Sequence, residues 1–444
     1  MEIYSYICTR THHIDDKNSF SLIYDARHNL YYFLKGISSY LWDVIVEYKN
    51  YNKIKSFALD KNLGDEFNSF LSELKERRII KTDKNFKKTN FNFLSKPLNR
   101  KSSNVYYFLD KWKKLTTSLG LIDTLILELN YKCNLKCKHC FNHKDMEKYS
   151  ITFAEAKKAI DEAYDLGILC VRLTGGECTL NKDFLKICEY IRSKRLELCI
   201  YTNGQIFNDN KELLNKVIEL YPTRIQFSIY SMEENIHDYI TGVKGSLQKT
   251  LNVIQKLKET SIFIDIATPV LSYNKDCYKE VQKYATSIGV EYRDNCVFTN
   301  NPENSNLNSK LSYKEIKQFY IDKFGVNQIK PRFFKDEYSI CEAGYDRLCI
   351  TPKLDVIPCV AFEYILGNLN STTLEKIKET TLEYFKKIFI RKNLTECFNE
   401  EYCSYCHYCP DSSVFEKNFM KKHPILCENA KAYYNALVCP ENEK

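Results

Sequence analysis

Three cysteines fall within eight residues, Cys133-Asn134-Leu135-Lys136-Cys137-Lys138-His139-Cys140, in the spacing C-x3-C-x2-C. Three soft thiolates on one short loop can hold three irons of a four-iron cubane and leave the fourth iron without a protein ligand, where a chelating small molecule can bind. Tetrahedral zinc is the alternative, and its fourth ligand would come from His139 or His143. A second group follows: Cys341, Cys349, Cys359, Cys397, Cys403, Cys406, Cys409 and Cys427. Eight thiols satisfy two four-cysteine clusters with none left over. The steps Cys403-x2-Cys406 and Cys406-x2-Cys409 also suit a pair of zinc ribbons, which would stabilise the fold without moving electrons. The start, Met1-Glu2-Ile3-Tyr4-Ser5-Tyr6, shows no basic region followed by an apolar run, and no stretch reaches the ~18 apolar residues of a membrane helix. A cytoplasmic location is therefore expected, where 19 cysteines serve as metal ligands and buried small residues sooner than as disulfides.

Such loops need a scaffold that brings them to one place. Apolar β-rich runs recur at Leu125–Leu129, Val171–Thr174, Leu198–Tyr201, Ile225–Ile229, Phe263–Ala267 and Val290–Tyr292. Helical patterns separate them near 153, 183–194, 208–220, 246–259 and 276–288, the first opened by Thr152 with Glu155 three residues on, a capping box. Six β-α repeats with right-handed crossovers imply an α/β class with a parallel sheet closed only in part, a (β/α)6 relative of the eight-stranded barrel. Ligands then belong at the carboxyl ends of the strands, which is where the three-cysteine loop falls.

The first 80 residues read as a separate α+β unit of winged-helix type. Two β-rich runs, Ser19–Tyr24 and Leu30–Leu34, flank a turn, and apolar stripes follow at Leu41, Val44 and Ile45, at Ile54, Phe57 and Ala58, and at Phe67, Phe70, Leu71 and Leu74. The helices lack the clustered basic residues of a groove reader, and a net charge of +8 over 444 residues is modest, so no nucleic-acid partner is expected. Between Lys81 and Asn104 stand seven Lys or Arg and one acid with little apolar period, which reads as a tether. The expected units are 1–82, a basic linker and helix over 83–120, the barrel over 121–300, a bridging region over 301–340 and a cysteine-rich domain over 341–444.

The loop at the end of strand one resembles that of the radical S-adenosylmethionine superfamily, and three more strand ends share the likeness. Gly175-Gly176-Glu177 matches the family's GGE, Thr202-Asn203-Gly204 its TNG, and Ser228-Ile229-Tyr230 stands where a polar side chain lies near the ribose. The resemblance implies that Cys133, Cys137 and Cys140 hold a 4Fe-4S cluster with exchangeable S-adenosyl-L-methionine, and that Gly175, Gly176, Glu177, Asn203 and Ser228 contact that molecule, the carboxylate meeting its ammonium. Reductive cleavage would then yield methionine and a 5'-deoxyadenosyl radical, and the protein binds, orients and excludes water. His139 takes the aromatic position beside the last ligand. Cys178 is a candidate hydrogen-atom donor of the kind some stereocentre-inverting relatives use, or else a small buried residue; no other catalytic side chain is implied.

From Cys341 onward the chain resembles the SPASM domain of peptide maturases, through Cys341-x-Ala343-Gly344, Pro358-Cys359 and the late cysteine group. By analogy with that domain's interleaved connectivity, Cys341, Cys349, Cys359 and Cys409 would hold one auxiliary cluster and Cys397, Cys403, Cys406 and Cys427 the other, with Cys406 and Cys409 interchangeable. Two departures stand out: Leu354 replaces a usual glycine, and the late spacing is C-x5-C-x2-C-x2-C. Residues 17–82 resemble a PqqD-like element that captures the leader of a ribosomally made precursor by adding a strand to a sheet edge. Together these imply a radical oxidoreductase that modifies a precursor peptide, foremost by an intramolecular thioether, supplied with electrons by a flavodoxin- or ferredoxin-type donor. The alternatives are carbon-carbon or ether cross-linking, epimerisation, oxidation of a side chain in a folded protein, or a non-enzymatic electron carrier with a docking domain.

Overall fold

Alternating apolar residues build an antiparallel meander at the amino terminus. After β1 (Glu2–Ile3), the strands β2 (Ile7–His13), β3 (Ser19–Asp25) and β4 (Leu30–Lys35) pair in sequence, with Thr9 opposite Ile23 and Ile23 opposite Tyr32. Three helices follow: α1 (Ile37–Tyr48), α2 (Tyr51–Asp60) and α3 (Gly64–Glu76). Asn50 opens α2 by accepting from the amides of Asn52 and Lys53. Their apolar faces close on Trp42, Tyr24, Tyr31, Phe67 and Phe70, and β5 (Ile80–Lys81) returns to pair with β1. The expected hairpin and three helices are present. The strand β2 was not legible because Ile-Cys-Thr-Arg-Thr-His-His carries few of the large apolar residues that mark a strand.

The computed structural model describes residues 1–14, 19–61, 63–86, 93–95, 98–99, 112, 114–140, 148–296, 310–324, 339, 341–394, 400–406, 408–409, 422 and 424–438. Within the stretch read as a tether, β6 (Leu98–Asn99) pairs antiparallel with β4 and Leu94 is buried in the first core; beyond it, in the expected linker helix, Trp112 packs on Phe20 and Phe33. The tether reading therefore fails for these residues. Isolated large apolar residues, without a period, gave no sign of it.

The barrel strands are β7 (Thr124–Glu128), β8 (Cys170–Thr174), β9 (Glu197–Thr202), β10 (Arg224–Ser228), β11 (Ile264–Val270) and β12 (Glu291–Cys296). All six run parallel in chain order, as six repeats require. Every residue of β7 is buried, as expected of a strand covered on both faces. The covering helices are α4 (Phe153–Asp165), α5 (Phe184–Ser193), α6 (Gln205–Asp209), α7 (Lys211–Glu219), α8 (Glu234–Thr241), α9 (Ser246–Leu257) and α10 (Tyr278–Ser287). The capping box at Thr152 and Glu155 opens α4 as expected.

The carboxy-terminal region does not stand apart from this sheet. β13 (Arg347–Ile350) joins the free edge of β7 in parallel, Cys349 opposite Ile126, and β14 (Asp355–Ile357) and β15 (Gly367–Asn368) extend it antiparallel to nine strands. The bridging region contributes α11 (Tyr313–Phe324), which packs against α12 (Pro424–Leu437) through Tyr320 and Tyr433. No helix among the described residues is long and apolar enough to cross a membrane.

Candidate functional site

The carboxyl end of β7 runs directly into the three-cysteine loop, and four neighbouring loops hold that loop in place. The amides of Lys136 and Lys138 donate to the carbonyls of Thr241 and Ile240 at the end of α8, at 2.8 and 2.9 Å. A Cβ on Gly242 would stand 3.0 Å from the Lys136 carbonyl, so the glycine after α8 gives room for this contact. On the other side the amides of Gly176 and Glu177 donate to the carbonyls of Asn130 and Lys132, at 2.7 and 2.9 Å. A Cβ on Gly175 would meet the Asn130 carbonyl at 2.3 Å, and one on Gly176 the Lys132 carbonyl at 2.4 Å. The two glycines thus allow main chain to touch main chain: their close approach is to the strand that carries the cysteines.

The Glu177 carboxylate is buried and accepts from the Thr179 amide at 3.2 Å, the hydroxyls of Thr179 and Thr202 at 2.6 and 2.7 Å, and the Asn203 amide at 2.8 Å. Burial raises its pKa and the donors from Thr179, Asn203 and Thr202 oppose the rise. Through these four donors, three on Oε1 and the Asn203 amide on Oε2, the carboxylate ties the GGE loop to the TNG loop. Cys178 is likewise turned inward. It is wholly buried, its thiol donates to the Tyr201 carbonyl at 3.3 Å, and burial holds its pKa far above the usual thiol value. It packs, and the hydrogen-donor role has no geometry in its favour.

Asn203 does reach the loop: its side-chain amide donates to Asn134 Oδ1 at 2.9 Å and lies 3.9 Å from Cys133 Sγ. Ser228 ends β10, half-buried, two residues before Tyr230. Tyr230 is buried; its hydroxyl lies 3.4 Å from His139 Nε2 and 4.0 Å from Cys137 Sγ, and its ring meets that of His139 edge-on. His139 is partly buried, with its Nδ1 shut from solvent, and burial pushes its pKa down to about 4. Burial raises the Cys137 thiol to about 12, with the neighbouring Cys140 and Cys133 thiols adding to the rise. His143 and Cys397 lie outside the described residues.

This arrangement fits an iron cluster held at three corners. The loop presents three partly exposed thiols close enough to influence one another, and burial disfavours the charged form of the His139 imidazole beside it, whose Nδ1 has no hydrogen-bond partner among the described residues. Soft thiolates of this kind are the donors such a cluster takes.

The second thiol group assembles around β13. Burial raises Cys341 to about 12, with Cys409 and Cys359 adding to the rise; Cys349 is fully buried and feels Glu128 and Cys359. Cys427 in turn feels Cys403. Leu354, where a glycine was expected, has a φ of 66°, so the backbone keeps the glycine conformation while the side chain is buried. The turn at Cys341-Glu342-Ala343-Gly344 packs Gly344, at φ 76°, against Phe385.

Several positioning residues gave no sequence signal. Asn130 Nδ2 donates to the Glu177 carbonyl at 3.1 Å, and Asn181 Nδ2 to the carbonyls of Leu129 and Ile151 at 3.1 and 2.8 Å. Tyr131 sits buried between the two thiol groups, its pKa raised by burial and then by Glu128. Single residues in the loops that follow β7 and β8 carry no periodicity to find.

Comparison with known proteins agrees with this geometry. The Radical SAM superfamily model matches residues 127–285, and the SPASM model, an iron-sulfur cluster-binding domain, matches residues 341–410. The chain thus carries a Radical SAM domain, the kind that binds a 4Fe-4S cluster and S-adenosylmethionine, followed by a SPASM domain, the kind that binds auxiliary iron-sulfur clusters. Among its relatives, the antilisterial bacteriocin subtilosin biosynthesis protein AlbA of Bacillus subtilis is 26% identical over 323 residues, 68% of this chain and 70% of that protein. The PqqA peptide cyclase of Bradyrhizobium diazoefficiens is 22% identical, over 58% of this chain and 72% of its own. In three dimensions the chain is similar to Streptococcus suis SuiB bound to precursor peptide SuiA, with a TM-score of 0.57 at 14% identity over 96% of this chain and 99% of that one.

Proposed function

We propose that this chain modifies a ribosomally made precursor peptide by hydrogen-atom abstraction, and that the modification is an intramolecular thioether. Relatives named for bacteriocin biosynthesis and peptide cyclisation, and a structural neighbour solved with its precursor peptide, support a peptide substrate. The first module supports it further, since its strand-strand-strand-helix-helix-helix order is that of a PqqD-like leader-binding element. The observation that carries the reading is that Cys349 lies on β13, the strand beside β7, so the two thiol groups start from neighbouring strands of one sheet.

When bound, the cluster at Cys133, Cys137 and Cys140 with S-adenosylmethionine supplies the hydrogen-abstracting radical, and auxiliary clusters at Cys341, Cys349, Cys359 and Cys409 and at Cys397, Cys403, Cys406 and Cys427 supply an electron acceptor. The protein's share is positional. Backbone of Gly175 to Glu177, with Asn203 and Ser228, contacts the cosubstrate; Tyr230 and His139 wall the loop and exclude water. Thioether formation breaks one C–H and one S–H bond and forms one C–S bond. The hydrogen atom leaves in 5'-deoxyadenosine, the thiol proton goes to solvent, and the remaining electron needs the acceptor. Electrons for the cleavage come from a flavodoxin- or ferredoxin-type donor in the cytoplasm.

Anaerobically reconstituted protein with dithionite and S-adenosylmethionine should form 5'-deoxyadenosine, and a small peptide encoded beside the gene should lose two hydrogens and one free thiol. A cysteine-free peptide core would exclude the thioether in favour of a carbon-carbon or ether link or an inverted stereocentre. A chain that forms no 5'-deoxyadenosine sinks the enzymatic reading altogether.

A further inference from the structure

A three-stranded sheet has two edges, and exposed edges recruit other strands. In the first module β2 is covered by the barrel, the Thr9 amide donating to the Arg195 carbonyl at 2.9 Å. The other edge, β4, faces α3 across a groove, and that groove is filled by the chain's own linker. Ser95 Oγ accepts from the Phe33 amide at 2.8 Å, and the Ser95 amide donates to the Phe33 carbonyl at 3.4 Å. Further along, Leu98 lies opposite Tyr31 and Asn99 opposite Leu30, so the segment runs antiparallel to β4.

The side facing α3 is engaged as well. Glu73 is buried on that helix, and its Oε2 accepts from the amides of Phe93 and Leu94 at 2.8 and 3.2 Å, while Oε1 accepts from Arg77 at 3.0 Å. Leu94 is 4% exposed within the module's core, and the ring of Phe93 meets that of Phe70 edge-on at 5.6 Å. Main-chain pairing on one wall, a carboxylate accepting main-chain amides on the other and apolar pockets between are the parts of a site for an extended peptide.

We propose that the groove between β4 and α3 is a peptide site held in cis by Phe93-Leu94-Ser95, and that a leader enters by displacing this segment. This rests on the leader-binding reading of the first module and deepens it. The resident segment states the ligand's chemistry: two consecutive large apolar residues, bent at Leu94 so that both amides meet Glu73, followed by a small hydroxyl residue paired with β4. A tethered occupant competes at an effective concentration of roughly millimolar, so only a leader with these features gains the site at micromolar concentration. The linker thereby screens out peptides that merely pair with an edge.

The probe is a fluorescein-labelled synthetic peptide of residues 91–99, titrated into the full-length protein and followed by anisotropy. Leu94→Asp with Ser95→Pro removes the apolar anchor and both Ser95 bonds from the resident segment, and this variant should bind the probe at least about tenfold more tightly than the parent. The milder Leu94→Ala, which guards against misfolding of the first, should gain several-fold. Probe peptide carrying the Asp and Pro changes should not compete. Equal binding by parent and both variants, or no binding by any, overturns the proposal. The two readings fail separately: a chain that modifies its precursor yet shows equal probe binding loses only the resident segment, whereas a chain that modifies no peptide loses the maturase reading whatever the probe does.

Discussion

The two ends of the barrel use the same residue type in opposite ways. At the amino end, Cys170 and Cys199 sit inside adjacent strands, both buried, with sulfurs 3.6 Å apart, and Cys8 of the first module is buried beside Arg192. At the carboxyl end, Cys133, Cys137 and Cys140 stand on a loop, partly exposed, and main-chain bonds hold the loop from both sides. The amino end is instead clamped by side chains: Arg192 donates to the carbonyls of Leu220 and Ser5 at 2.9 and 2.8 Å, Arg195 to that of Tyr4 at 3.1 Å, and Asn29 to that of Ser261 at 2.7 Å. A thiol's place along its strand, not its presence, separates a packing residue from a ligand. The comparison also sets a distance. The first module docks where the strands begin and the three-cysteine loop lies where they end, so a bound peptide spans at least a five-residue strand, about 17 Å at ~3.3 Å per residue.

Breaking the reactive end should cost most. Cys137→Ala leaves two thiols on the loop, and 5'-deoxyadenosine formation should fall below detection with loss of about a third of the iron, measured by product chromatography and iron analysis. Cys170→Ala, at the other end, should lose no iron; an equal loss from both variants would erase the distinction. Gly176→Ala adds a Cβ 2.4 Å from the Lys132 carbonyl, where backbone on both sides prevents a cheap adjustment. The cysteine loop must shift, and cleavage of S-adenosylmethionine should drop at least about 100-fold, since an error of an ångström at a reacting centre is that costly. Arg192→Ala acts at the docking end. It strips partners from the buried carbonyls of Leu220 and Leu196 and from Ser5, and should lower stability by about 2 to 4 kcal/mol in denaturant melts. Peptide-independent formation of 5'-deoxyadenosine should stay within about twofold while peptide modification falls about tenfold, because docking supplies local concentration. Parallel losses in both readouts would show that the two ends do not act separately.

How much was legible follows from what makes a pattern. The first five barrel strands are rich in β-branched and leucine residues, so hydrophobic period located them to within about three residues, whereas β12, Glu-Tyr-Arg-Asp-Asn-Cys, runs four residues past the expected Val290–Tyr292. The thiol groups announced themselves by spacing. The parallel seating of Arg347–Ile350 on β7 was hidden, because a four-residue strand does not name its partner. Asn130 and Asn181 were hidden because their work is to satisfy backbone groups that only the fold brings near. Leu354 shows a pattern broken in sequence and kept in structure. Its left-handed backbone costs about 1 to 2 kcal/mol for a residue with a side chain, yet the buried leucine contributes about 2 to 5 kcal/mol that a smaller residue would forfeit. Leu354→Gly should therefore lower stability by about 1 to 3 kcal/mol despite relieving the backbone; a rise in the denaturation midpoint would show that strain outweighs packing.

His12 sharpens the contrast from the docking side. It is buried against Phe20 and Trp112, and its Nε2 has no hydrogen-bond partner among the described residues. Burial, with the Arg10 and His13 charges, lowers its pKa to about 3. The folded module thus keeps the ring neutral while the unfolded chain takes up a proton once the pH drops below the ordinary value of about 6.5. Unfolding is then favoured by about 1.4 kcal/mol per pH unit between 6.5 and 3, and stability rises again as pH returns above 6.5. His12→Phe keeps an aromatic ring against Trp112 and removes the titration, so the acid slope of the module's unfolding, followed by tryptophan fluorescence, should flatten by that amount. An unchanged slope would mean that the ring already finds a proton acceptor in the fold, and that the docking face is wetter than its burial implies.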